Sequence, residues 1–82
     1  MPSIVKLKGS ETSVTSATDL SGAKLVRVYA VNTSVVTLAD ASSNVIGSFT
    51  IPAGRVEYVE KASDDLISAN VAVLCTSVSY NT

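Results

Sequence analysis

The side chains that usually carry chemistry are sparse in this chain. It has one cysteine, Cys75, and no histidine, so an acid–base or nucleophilic step falls to carboxylates, lysines or that thiol. Cys75 stands in an apolar, alternating run, where a thiol behaves as a small buried hydrophobe; a reactive one needs an exposed, electropositive setting. Glu60, Asp64 and Asp65 lie close in sequence but lack the alternating oxygen-ligand spacing of a calcium loop. With Ser63 ahead of them as an N-cap, the two aspartates read instead as the start of about one turn of helix. Glu57, Glu60 and Lys61 read as the solvated face of a strand. The glycines Gly9, Gly22, Gly47 and Gly54 are scattered, and none opens a loop that would cradle phosphate. The hydroxyl-rich stretches 10–18 and 42–43 suit a polyol, but sugar platforms also present aromatic faces. Here Tyr29, Phe49, Tyr58 and Tyr80 stand on strand faces that carry core residues. The sequence therefore predicts no catalytic residue, no metal site and no cofactor, and a chain that is not an enzyme.

The elements that position these residues read as strands. Residues 44–61, NVIGSFTIPAGRVEYVEK, predict a β-hairpin: Val45, Phe49 and Ile51 share one face, and Val56 and Tyr58 return to meet them. Its turn is Pro52, Ala53 and Gly54, with proline pre-setting one corner and glycine taking a positive φ, as a type I turn closed by a left-handed residue. Phe49, the only phenylalanine, is the expected core anchor. Ile4, Val5, Lys6, Leu7 and Lys8 alternate as an edge strand or N-terminal arm within residues 1–10, with lysines that discourage unwanted pairing and main-chain groups open to a partner. A weak strand around Val14 and a loop anchored by Leu20 follow. Residues 24–32, KLVRVYAVN, form the strongest strand, apolar on both faces. With 34–39 and the hairpin it predicts a four-strand meander, and 71–80 resumes β character with Val73 and Cys75 on one face.

Eighty-two residues make one domain, 1–82, and a domain of this size buries only about 60 to 65% of the surface its unfolded chain exposes. The expected fold is all-β, a small antiparallel β-sandwich or flattened barrel with at most one short helical turn. The hydrophobic fraction is 46% but aromatics are 5%, so the core is built from Val and Ala. One cysteine makes no internal bridge and the commonest metal ligand is missing, which leaves self-association as the usual way to stabilise such a scaffold. Leu25, Arg27, Tyr29 and Val31 form the row expected at a homo-oligomer interface, because the opposite face, Val26, Val28 and Ala30, already serves the core. A net charge of −1 without a basic run argues against nucleic acid, and apolar stretches of a few residues argue against a membrane span. The first residues alternate like a strand and lack the apolar region of a signal peptide, so export by such a signal is not expected.

Three stretches carry a resemblance. Leu25 to Tyr29 fits a short (V/L)VR(V/I)Y strand, Val36 to Asp40 a V-T-L-A-D strand, and Gly47 to Lys61 a G-x-F-x-x-P-A-G segment closed by V-E-K. Together, across residues 24–78, they resemble the small β-rich virion structural proteins of marine tailed bacteriophages, cyanophages in particular. These motifs are structural rather than catalytic. The resemblance implies a non-enzymatic particle component, made in the host cytoplasm and located in the virion, with capsid decoration or cementing as its first role. It implies partners of two kinds, the chain itself, as a homo-oligomer with a trimer favoured because capsid lattices offer three-fold sites, and the major capsid or another virion protein. A tail or neck component and a small glycan-binding β module stand as alternatives.

Overall fold

The computed structural model describes residues 5–80, which form eight strands and no helix. They are β1 (Val5–Leu7), β2 (Thr12–Val14), β3 (Leu25–Ala30), β4 (Ser34–Ala39), β5 (Val45–Ile51), β6 (Val56–Glu60), β7 (Leu66–Ala69) and β8 (Val73–Tyr80). All pairings are antiparallel. One sheet has the order β1-β8-β3-β6, with β2 following β1 along the same edge of β8; the other has the order β5-β4-β7. The protein is thus a small all-β sandwich.

Alternation in the sequence explains which residues fill it. Val26, Val28 and Ala30 of β3 are fully buried, as are Val73 and Cys75 of β8, and these meet Val36, Ile51 and Ile67 from the second sheet. Ile51 and Ile67 are the largest side chains removed completely from solvent. Phe49 is not the anchor that its type suggests; it is half-buried and packs at the margin of this cluster. Phe49 shares the inward parity of Ile51, opposite Val36, but stands on the edge strand β5; beyond it a bulge, with Leu38 opposite Gly47 and Ala39 opposite Val45, makes Ile46 an extra residue and ends the alternation. Val45 and Ile46 are consequently 69% and 57% exposed.

The expected hairpin and meander are corrected. β5 pairs with β4, whereas β6 pairs with β3 in the opposite sheet, so the intervening turn carries the chain from one sheet to the other. Arg55 N–H donates to Pro52 O at 3.2 Å, and Gly54 has φ 79° at the third position of the turn, the signature of type II rather than type I. Two-residue hairpins need the primed turn types, whose twist matches that of paired strands; a type II turn splays the strands and suits a crossing between layers. The turn is pinned to the end of β3 by Gly54 N–H donating to Ala30 O at 2.7 Å and by Ala53 N–H donating to Thr33 Oγ1 at 3.2 Å.

The hairpin that does form joins β4 and β5. Its loop is closed by Asp40, whose carboxylate accepts from the N–H groups of Ser42 and Asn44, both at 2.9 Å. These bonds, that of the Asn44 amide N–H first, hold the Asp40 carboxyl below its usual pKa. The expected helical turn at 63–67 is absent. Asp65 Oδ2 accepts from Ala62 N–H at 3.0 Å while Asp65 N–H donates to Ala62 O at 3.0 Å, which closes a tight turn, and Leu66 already begins β7. The acids serve a turn because Ile67 and Ala69 supply a period-two apolar face that the core can use.

At the start of β4 a polar clip replaces apolar packing. Ser34 Oγ donates to Val71 O at 2.7 Å, and Asn70 Oδ1 accepts from Val35 N–H at 2.8 Å. Every buried side-chain polar atom among the described residues has a hydrogen-bond partner.

Candidate assembly surface

Register defines the outward face of the first sheet. Leu25, Arg27 and Tyr29 point away from the core, opposite Glu60, Tyr58 and Val56 of β6 on one side. On the other side, Arg27 and Tyr29 lie opposite Thr76 and Leu74 of β8, and Leu7 lies opposite Val78. Residues paired across an antiparallel ladder share a face, so these side chains form one surface across β1, β8, β3 and β6. It is mostly apolar. Leu7 is 70% exposed and Tyr58 43%, while Thr76 and Val78 are closed over by their neighbours.

Arg27 is the one cation on the central strands of this face. Its Nη1 lies 3.8 Å from Glu11 Oε2, both side chains partly exposed, so the pair is solvent-screened and weak. Glu11 reaches it because the edge chain bulges between β1 and β2. Residues 8–11 stand opposite only Thr76 and Ser77 of β8, and the excess chain folds toward the face. Leu7, Gly9, Ser10, Glu11, Arg27 and Thr76 line an open depression of about 530 Å³ there.

Of the residues expected at an oligomer interface, Leu25, Arg27 and Tyr29 are side by side on this surface. Val31 lies past the end of β3, 53% exposed. The expected partner-binding segment is an edge strand: β1 pairs with β8 on one side only, and Lys8 N–H donates to Ser77 O at 2.8 Å. Ile4 lies outside the described residues.

Lys61 is not part of a solvated face. It continues the inward parity of Glu57 and Val59, is 6% exposed, and its Nζ donates to Ala62 O at 3.2 Å and Ser63 O at 3.4 Å. Burial lowers its pKa, opposed by the carboxylates of Asp19, Asp65 and Asp64. The alternation E-Y-V-E-K contained that parity; what it lacked was the open end of the sandwich, where a long stem crosses apolar surface and its ammonium finds carbonyls. Lys24, Leu38, Ile46, Glu60, Lys61, Ala62 and Asp65 border a cleft of about 470 Å³ at that end. An ammonium held by backbone carbonyls is a structural tie rather than a nucleophile.

Cys75 faces the core with no exposure and is unpaired. Burial, with a smaller contribution from Glu11, pushes its thiol up to about 11. Among the described residues no group of three or more His, Cys, Asp or Glu side chains is arranged to hold a metal ion. Comparison of the chain with protein-family models, with curated proteins and with solved structures finds no match in any of the three.

Proposed function

We propose that the protein is a non-enzymatic structural component of a bacteriophage virion, of the capsid decoration or cement type, and that it acts through self-association and contacts to the major capsid or another virion protein. The observation that carries the self-association is the outward face of the first sheet. Leu25, Tyr29, Val56, Tyr58 and Leu74 line it across three adjacent strands, and its central cation is already matched within the chain. A small domain with a core of valines leaves this apolar area without cover, and a second copy supplies it. The particle setting rests on the resemblance of residues 24–78 to phage structural proteins, and the trimer on the three-fold sites of capsid lattices. The edge strand β1 is then free to contact the particle through its main chain.

Two measurements test this. Light scattering is expected to give a mass well above the 8.4 kDa of one chain and a smaller assembly in Tyr29→Asp. A parent chain that is monomeric at all concentrations removes the interface, and a Tyr29→Asp protein that assembles normally moves it to another face. A mass-spectrometric inventory of intact particles is expected to contain the protein in many copies; its absence removes the virion reading. One observation favours a second reading, a glycan-binding module: exposed Tyr58, opposite Arg27, is a diagonal neighbour of Tyr29 on the same face, where two aromatic rings can receive a sugar. Saturable binding on a sugar array that is lost in Tyr58→Ala would select it.

A further inference from the structure

The two sheets have four edges, and three of them are covered or bulged along part of their length. The outer edge of β7 is covered by residues 15–18: Thr18 and Ile67 exchange both main-chain bonds, at 3.0 and 2.8 Å, and Ala69 N–H donates to Thr15 O at 3.1 Å. The β1–β2 edge is interrupted by the bulge at residues 8–11. β5 is bulged at Ile46, which twists that end of its edge, and pairs regularly with β4 only from Gly47 to Ile51. β6 has no such bulge: its register with β3 runs unbroken from Val56 to Glu60, no strand lies on its other side among the described residues, and unlike β5 it borders the outward apolar face of the first sheet.

Its free main-chain groups can be assigned. Lys61 N–H donates to Lys24 O at 2.9 Å and Ala30 N–H to Arg55 O at 3.0 Å. The alternation of antiparallel pairing then turns Glu57 and Val59 toward β3, and directs the N–H and C=O groups of Val56, Tyr58 and Glu60 outward, in a regular row.

We infer that this edge pairs with the same edge of a second copy, in an antiparallel β6–β6 ladder whose two-fold axis passes through Tyr58. An isologous contact must be self-complementary, and this register is. Val56 stands opposite Glu60 of the second copy, Tyr58 opposite Tyr58, and Glu57 opposite Val59, so within β6 no like charges face each other directly; just beyond it Arg55 stands opposite Lys61, whose ammonium is held by Ala62 O and Ser63 O. All three outward residues exchange their bonds. Centring the axis on Glu57 brings two carboxylates together at the closer, non-hydrogen-bonded position, and centring it on Val59 leaves Val56 without a partner. The pairing joins two first sheets into one and makes their outward faces continuous across a central tyrosine pair. The inference rests on the self-association proposed above and adds to it a second, two-fold contact through the β6 edge, which together with a three-fold contact closes as a dihedral assembly; it needs no particle.

A cysteine placed on the axis tests the register. Facing residues at a hydrogen-bonded position have Cα atoms about 5.5 Å apart, inside the range of about 4.4 to 6.8 Å that a disulfide spans. Oxidised Tyr58→Cys is expected to run as a covalent dimer. Glu60→Cys, on the same strand and face, is expected to stay monomeric on a denaturing gel, since its two copies are about 13 Å apart along the ladder. Equal cross-linking in both variants overturns the register. Amide exchange on the unaltered chain is the second measurement: the Tyr58 N–H is expected to be protected in the assembled protein and to lose protection on dilution. A parent chain that is monomeric ends both this inference and the self-association. An oligomer whose Tyr58 amide exchanges at the rate of a free peptide ends this inference alone.

Discussion

Cys75 shows how burial sets the behaviour of a single side chain. The thiolate is the reactive form, and the core that surrounds Cys75 disfavours it, moving the pKa from 9.0 to about 11. The neutral thiol is therefore favoured by the folded state, and the stability associated with it is complete below about pH 9 and falls as pH rises toward about 11. A shift of this size corresponds to about 3 kcal/mol. Stability measured by denaturant titration is expected to drop more steeply across that window in the parent than in Cys75→Ala, and thiol reagents at neutral pH are expected to label the native protein far more slowly than the unfolded one. Parallel pH profiles, or labelling at the rate of a model peptide, contradict the assignment. That Cys75 is an interior side chain was legible in its alternating apolar neighbours. The burial of Lys61 was not, because a charged terminus of a strand looks solvated until the neighbouring turn supplies Ala62 O and Ser63 O.

At the scale of elements, strands were easier to read than their partners. Residues 24–32, 34–39 and 71–80 contain β3, β4 and β8, and the faces expected for β3 are the faces it uses. Pairing depends on turns, and Pro52-Ala53-Gly54 was correctly a turn but joins different sheets. Its glycine requires φ 79°, and a Cβ added there meets nothing within 4 Å, so a substitution costs backbone strain and no steric clash. Gly54→Val is expected to lose about 1 to 2 kcal/mol in denaturant unfolding. Ala53→Gly is expected to lose only a few tenths. Equal effects would mean that the positive φ is not required. The helical turn expected at 63–67 failed for a related reason: acids after a serine suit a helix start and a tight turn equally, and Ile67 decides between them by entering the core.

At the scale of the molecule, connectivity governs how the fold forms. β8 pairs with β1, β2 and β3, and β3 with β6, so the first sheet contains no pair of consecutive strands; β4 and β5 make the only sequential pairing among the described residues. Loops must close before most native contacts form, which slows folding. Stopped-flow refolding is expected to show a main phase of milliseconds to seconds, and a microsecond relaxation that recovers the whole signal would contradict the topology.

The sequence by itself determined the class of this protein and the interior of its strands. Short alternating apolar runs, few aromatics, no histidine and one cysteine allow an all-β module with a valine core and little else, because period-two burial is a local property of the chain. Only the tertiary structure decided which strands are neighbours. Two strands can place the same apolar face on a core by lying side by side or by facing each other across it, and local patterning is identical in the two cases. That choice puts β5 and β6 in different sheets, moves Phe49 to the margin and Ile51 to the centre, and leaves the regular edge of β6 open.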